Sequence, residues 1–370
     1  MNVIALEPGT TNVRLSERPK PRITQPNDVL LQVIAVGICG TDRDEASGGR
    51  SDAPAGEKEL VIGHEMIGRV VEAGPGARGV AIGALGAFTV RRPCDHCQPC
   101  ALGRPDWCTS GDYTERGIKG RDGYNAEFVV DEAEHFVPIP DEIQAFGVLA
   151  EPMSIAQKAI TEAVRIQASR LPGAHEGDAW LSDRTALVAG LGPVGLLAAI
   201  ELRLRGARVL GLDVIDGSSP RARLLEAVGG TYVDGREKGM PRNLAEHHRH
   251  IDFIFEATGV AHLEFDLFGA LAPNGLYVLT GIPEGTRPIE VAAATLVRRF
   301  VLENQLMLGS VNASREHWVA GIASLGAANK RWPGVMPKLI TRRVPASDIG
   351  DSLASHDLNE IKTVIHWADA

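Results

Sequence analysis

Aromatic side chains make up only 5% of the 370 residues, too few for the ring-stacking platforms that hold single-stranded nucleic acid. Positive charge is also in deficit. With 38 Lys and Arg against 47 Asp and Glu, the formal charge is −9, and an acidic surface repels phosphate backbones. Nucleic acid is therefore not an expected partner. Long apolar runs are missing too. The longest, residues 187–200, is interrupted by Gly190, Gly192, Pro193 and Gly195. It falls short of the roughly 20 residues a spanning helix requires. Residues 1–6 show no basic region leading into an apolar stretch, so no secretory signal is expected. The expected compartment is the cytoplasm, with no membrane partner. Internal repeats and low-complexity tracts are absent. The run Glu246, His247, His248, Arg249, His250 reads as a solvated helix end or loop before it reads as a metal site.

What is present is an ordinary globular composition, 44% hydrophobic and 23% charged, long enough for two domains. The first 140 or so residues read as β-rich, with short apolar, β-branched segments at 29–36 and 126–130. A helical face emerges at 155–166, and residues 171–182, with Pro172, Gly173, Gly177 and Asp178, read as a loop. From Thr185 onwards strands and helices alternate: strand 185–189, helix 193–205, strand 207–212, helix 220–228, strands 251–256 and 276–279. Such alternation predicts a parallel α/β sheet, because parallel neighbours require crossover connections. Beyond 309 the pattern reads as short mixed elements, ending in a strand-like 363–367 that returns to the first domain.

Cysteine is sparse, five in all, and four of the five are crowded into 15 residues: Cys94, Cys97, Cys100 and Cys108. Two residues between successive thiols let a tight knuckle aim the sulfurs inward, and four thiolates match a closed structural zinc site. An Fe–S cluster uses similar ligands. A redox Cys-x-x-Cys pair would leave two of the cysteines without a reason for their spacing. His96 lies inside this lobe as a loop residue.

Gly190-Leu191-Gly192-Pro193-Val194-Gly195 follows a strand, opens a helix, and is trailed by Asp213 at the end of the next strand. That context is what a dinucleotide fingerprint requires. Gly190 permits the turn, Gly192 the approach of the pyrophosphate, and Gly195 close packing of helix on strand. The pyrophosphate then meets the helix N-terminus. Asp213 suits ribose hydroxyls and disfavours a 2′-phosphate, so NAD is favoured. NADP stays open, because Arg221 and Arg223 follow closely.

The remaining cysteine, Cys39, lies in Gly37-Ile-Cys39-Gly-Thr41-Asp42, and downstream comes Gly63-His64-Glu65-Met-Ile-Gly68. A lone cysteine is commonly a small buried hydrophobe. Thiolate, imidazole and carboxylate together also suit a catalytic zinc with one open position. Taken with the four-thiol lobe and the glycine turn, these motifs resemble, end to end and in order, the medium-chain zinc alcohol dehydrogenases. The resemblance implies a GroES-like β-rich catalytic domain over 1–185, with a zinc lobe at about 91–112. It also implies a doubly wound Rossmann domain over 186–309 and a return to the catalytic domain over 310–370. Cys39 and His64 become catalytic zinc ligands. Where relatives place a second thiolate, this chain has Ala150-Glu151-Pro152, which makes Glu151 the replacement. Glu65 binds directly, or exchanges with water and Glu151.

Further stretches are similar to the glucose dehydrogenases of archaea within that family: Val90-Arg91-Arg92-Pro93, Gly103-Arg104-Pro105-Asp106, Glu115-Arg116-Gly117-Ile118, Phe255-Glu256-Ala257-Thr258-Gly259 and Leu308-Gly309-Ser310-Val311-Asn312. This implies oxidation of an aldose at C1 to the lactone with hydride transfer to NAD(P), and a homo-oligomer, either dimer or tetramer. Thr41, Glu115, Glu151 and Asn312 become sugar contacts, with Thr41 also starting a proton relay. Thr258 and Asn312 join the cofactor site. Two departures stand out. Val90 occupies a place where some relatives carry asparagine, and Leu212-Asp213 replaces the basic residues of NADP-preferring relatives. A polyol or secondary-alcohol dehydrogenase would share the same ligands. A non-catalytic NAD(P) sensor would keep the glycine turn but need none of Cys39, His64 and Glu151.

Overall fold

The computed structural model describes residues 1–174, 180–237, 239–240, 243–248, 251–283, 285, 287–355 and 357–368. Gly177 and Asp178 of the expected loop, and Arg249 and His250 of the histidine-rich run, lie outside the described residues. The chain divides into two compact units. One comprises Met1–Ser154, Asn312–Gly326 and Met336–Ala370; the other comprises Ile155–Val311 and Ala327–Val335.

The first unit is built on strand Asp28–Gly37, whose residues are nearly all buried, as expected of a strand covered on both faces. It pairs antiparallel with Glu65–Ala73 and with Lys362–His366, and Phe128–Glu132 joins its other half. The register sets Gly37 opposite Glu65. The C-terminal strand therefore returns to the first sheet, as the sequence suggests. Ile38, Ile4, Leu60, Ile62, Val344 and Ile365 form a core beneath this end of the sheet.

Close by, Arg92 and Arg116 converge on the fully buried Asp131. Arg116 donates to Oδ2 from Nε at 2.8 Å and from Nη2 at 2.6 Å, and Arg92 bonds the same oxygen. Arg121 stands 3.5 Å from Oδ1. The cluster ties strand Thr114–Arg116 to strand Phe128–Glu132.

The second unit is a six-stranded parallel sheet. Its order is Thr231–Asp234, Arg208–Asp213, Thr185–Ala189, Ile251–Glu256, Leu271–Leu279, Leu306–Gly309. Strand order reverses between Thr185–Ala189 and Ile251–Glu256, the kind of crevice where doubly wound sheets bind ligands. The helix Pro193–Leu204 follows the glycine turn directly.

The elements depart from the sequence reading in three places. The helix at 155–166 is longer, Ala150–Arg170, because Pro152 falls in its first turn, where a missing N–H costs nothing. The compact units divide at Ser154, inside that helix, and not at 185, and again at Val311. Past 309 a 17-residue helix, Arg315–Arg331, stands where only short elements were expected. Its buried face (Trp318, Ile322, Leu325, Ala328) has helical spacing, but Gly321 and Gly326 dilute the pattern.

Candidate metal centres and the dinucleotide turn

The sulfurs of Cys94, Cys97, Cys100 and Cys108 all lie within 4.8 Å of one another. Cys97 Sγ and Cys108 Sγ are 3.9 Å apart, far beyond a disulfide. Four sulfurs each ~2.3 Å from one central ion would stand about 3.8 Å apart. Backbone N–H groups, that of Cys100 foremost, pull the Cys97 thiol down to about 7, while burial pushes Cys100 up to about 12. The donor set fits a closed zinc site. His96 takes no part: its ring bonds Cys94 O at 2.7 Å and faces the exposed Asp112 at 3.2 Å.

The second cluster joins Cys39, His64 and Glu65, whose ligand atoms also fall within 4.8 Å of one another. Cys39 stands two residues past the buried strand Asp28–Gly37, at the N-cap of the short helix Gly40–Ala46. Its backbone N–H donates to Asp42 Oδ2 at 2.7 Å, and Asp42 Oδ1 faces His64 Nδ1 at 3.6 Å. One carboxylate thus holds the thiol's turn by a hydrogen bond and lies beside the imidazole ring without bonding it. Two glycines make room. A Cβ on Gly37 would strike Glu65 Oε2 at 2.2 Å, and Gly63, at φ 91°, would meet Asn125 at 2.4 Å. Lys362 donates to Ile38 O at 2.9 Å and to Glu65 Oε1 at 2.7 Å, and stands 2.7 Å from Oε2. Sequence reasoning assigned no role to Asp42, although its spacing from Cys39 is that of a helix cap. It missed Lys362, which sits 297 residues from Glu65 and has no local signal.

Acidic groups outnumber basic ones in this pocket. Burial, reinforced by Asp42, pushes the Glu45 carboxyl up to about 9, and neither of its oxygens has a hydrogen-bond partner among the described residues. Burial also pushes Glu151 up to about 7, against the pull of His64 and Lys362. Burial alone would lower the His64 pKa, but Asp42, Cys39 and Glu151 raise it well above the usual range. Asp42 Oδ1 and His64 Nδ1 are buried without hydrogen bonds among the described residues. A divalent cation is what this constellation fits. Glu151 lies outside the 4.8 Å group, yet close enough to act on His64, and its carboxylate makes no hydrogen bond among the described residues. Thr41 Oγ1 is 3.9 Å from Cys39 Sγ.

Glu115 and Asn312, distant in sequence, touch. Asn312 Nδ2 donates to Glu115 Oε1 at 2.7 Å, and Arg91 adds Nε and Nη2 bonds to the same oxygen at 3.1 and 2.9 Å. Oε2 takes no hydrogen bond among the described residues, which leaves it as an open acceptor. The strand bearing Glu115 runs into Gly117, where a Cβ would meet Gly63 O at 2.5 Å. It therefore ends against the backbone that precedes His64. Sequence reading overlooked Arg91 as the group that holds Glu115.

In the second unit Gly190 adopts φ 88°, and a Cβ on Gly195 would overlap Gly190 O at 1.8 Å. A Cβ on Gly192 would meet nothing, so that side of the turn is open to a ligand. Asp213 accepts from Leu191 N at 2.7 Å and from Val214 N at 2.6 Å. Thr258 packs against Gly190, its hydroxyl bonded to Glu256. No helix among the described residues is long and apolar enough to cross a membrane.

Two family descriptions match the chain: "Alcohol dehydrogenase GroES-like domain" over residues 25–141, and "Glucose dehydrogenase C-terminus" over 144–367. It is 36% identical to a glucose 1-dehydrogenase of Methanocella arvoryzae over 367 residues, 99% of each chain. It is 35% identical to a glucose 1-dehydrogenase of Thermoproteus tenax over 370 residues, again 99% of each. Among solved structures it resembles glucose dehydrogenase of Haloferax mediterranei in complex with NADP, Zn and gluconolactone. That match has a TM-score of 0.88 and 31% identity, and covers 100% of both chains.

Proposed function

We propose, for a chain that belongs to the zinc-dependent medium-chain alcohol dehydrogenase family and to its glucose dehydrogenase branch, that it oxidises an aldose at C1 to the lactone and passes the hydride to NAD(P). The observation that carries this reading is the group of half-buried Cys39 with buried His64 and Glu65, on a chain that aligns end to end with glucose 1-dehydrogenases. Zinc, when bound there, supplies Lewis-acid chemistry that acidifies a coordinated hydroxyl. A second zinc in the four-thiol lobe is structural.

Cys39 and His64 hold the catalytic ion, Asp42 orients the imidazole, and a carboxylate completes the set. Lys362 neutralises Glu65, whereas Glu151 is unbonded, which favours Glu151 as the carboxylate that meets the substrate side. Glu115 Oε2 accepts a sugar hydroxyl while Asn312 and Arg91 hold Oε1. Thr41 passes the C1 hydroxyl proton toward solvent.

NAD is the preferred cofactor in this reading. The rim beyond Asp213 carries Asp216 and Asp234, and the nearby Arg236 is tied to Asp234 at 2.6 Å. A carboxylate with two N–H donors still has lone pairs for ribose hydroxyls, but a 2′-phosphate would meet like charge. The NADP in the H. mediterranei complex is the argument on the other side. Free thiols fit a reducing compartment such as the cytoplasm, and a dimer or tetramer completes the proposal.

The test is a panel of kcat/KM values for glucose, galactose, xylose, sorbitol, threonine and propan-2-ol, each with NAD and NADP. The expected result is a preference for aldoses over every other class by at least about tenfold, equivalent to ~1.4 kcal/mol of transition-state binding, with NAD ahead of NADP. A preference for sorbitol or the simple alcohol would instead select the polyol or secondary-alcohol reading. Cofactor binding without turnover on any member would select the redox-sensor reading.

A further inference from the structure

The parallel sheet of the second unit has two ends. The glycine turn occupies the carboxyl end of strand Thr185–Ala189. At the opposite end, where Thr185, Arg208 and Thr231 open their strands, lies a cavity of about 430 Å³. It is separated from the turn by the length of a five-residue strand, roughly 17 Å. Its volume falls within the range of small-molecule sites.

The lining is basic and hydroxylic. Arg203, Arg208 and His248 face it together with Thr185 and Thr231, and no carboxylate among the described residues does. That is a notable exclusion in a chain with 47 acidic residues. Neither arginine forms an ion pair among the described residues. Among the described residues the Arg208 side chain makes one hydrogen bond, from Nη2 to Thr185 Oγ1 at 3.3 Å. Arg203 is braced by carbonyls, its Nε donating to Val228 O at 3.1 Å and its Nη1 to Ala207 O at 2.5 Å, so that Nη2 is spare. Gly229 lets that guanidinium lie against the chain, since a Cβ there would meet Nη2 at 3.0 Å. Burial, and then the like charge of Arg331, depress the Arg203 pKa, the sign of a cation without a counter-ion. Asp252, which neighbours Thr185, is taken up by the Thr185 N–H at 3.0 Å and by Arg184 at 3.5 Å. His248, from the histidine-rich run that the dehydrogenase reading leaves unexplained, completes the rim.

We infer that this cavity is a second anion site that binds a phosphate group, free or carried by a small metabolite. Two guanidiniums supply charge-assisted donors, and the two threonine hydroxyls and the imidazole complete the shell of a tetrahedral oxyanion. The inference does not depend on which alcohol the protein oxidises.

The experiment is calorimetric titration of the zinc-loaded protein with its glycine turn saturated by oxidised cofactor. The probes are inorganic phosphate and 3-phosphoglycerate, at constant ionic strength in chloride. Saturable binding of at least one probe is expected. Arg208→Gln should weaken it about tenfold or more and Thr231→Val a few-fold, with kcat unchanged. Tighter binding of 3-phosphoglycerate would identify an organic phosphate as the occupant, and equal binding the inorganic ion. Should Arg208→Gln fold poorly, His248→Gln carries the same expectation of weaker binding. No saturable uptake of either probe, or uptake that all three variants leave intact, would overturn the assignment.

Discussion

Replacing His64 with alanine is expected to lower turnover by about a thousandfold or more, because a loss of ~4 kcal/mol of charge stabilisation corresponds to three decades of rate. His64 is buried, and no other imidazole among the described residues belongs to the Cys39 cluster, so no second imidazole can take its place. Its removal also leaves Asp42 Oδ1 facing an empty space. The four-thiol lobe is a separate cluster, so metal analysis should find the content reduced by one zinc per chain and not by both. Asp42→Asn should be milder, about 10–100-fold, as befits a group that orients a ligand from outside. Its folded structure and zinc lobe should be intact. A His64→Ala protein with full metal content and turnover within tenfold of the parent would remove the site from the account.

The second large effect concerns stability. Asp131→Asn is expected to cost about 3–5 kcal/mol, because it strands buried guanidiniums without their only carboxylate among the described residues. For a unit of this size that is a fall in Tm of roughly 6–20 °C. The side chain of Asp131 is fully buried, those of Arg92 and Arg116 almost so. Burial would raise the Asp131 pKa, but Arg116 and Arg92 outweigh it and hold the carboxyl far below the usual range. The same positive field acts on His135, which burial and then Arg92 push down to about 3. The sign of the pH dependence follows. A carboxyl whose pKa is depressed on folding contributes its full stability above the unfolded value, about 3.9, and loses it as pH falls toward the folded value. Denaturant melts of parent and variant should therefore differ most at neutral pH and converge in acid. Equal midpoints at neutral pH would show that the cluster is solvated in practice.

Legibility in the sequence followed the range of each interaction. Local features were readable. The four-thiol spacing, the glycine turn and the strands around it depend on residues within one or two turns of chain; the four sulfurs lie together, and a helix follows the turn. Cys39 and His64 were only half readable, since a lone cysteine has a bland alternative and needed the resemblance to decide it. The groups that tune them were not readable. Lys362 reaches Glu65 only because the last strand returns beside strand Asp28–Gly37. Arg91 acts on Glu115 through a short antiparallel pair. Glu45 carries no sign in sequence that its carboxyl is buried. The helix Arg315–Arg331 escaped for a different reason, since its glycines and alanines blur an apolar face that the fold nevertheless buries.

The most direct measurement uses glucose deuterated at C1. If hydride leaves that carbon for the nicotinamide, the reduced cofactor recovered after turnover carries one deuterium for each molecule of lactone formed. Reduced cofactor without deuterium, or no cofactor reduction with any aldose, would contradict the account.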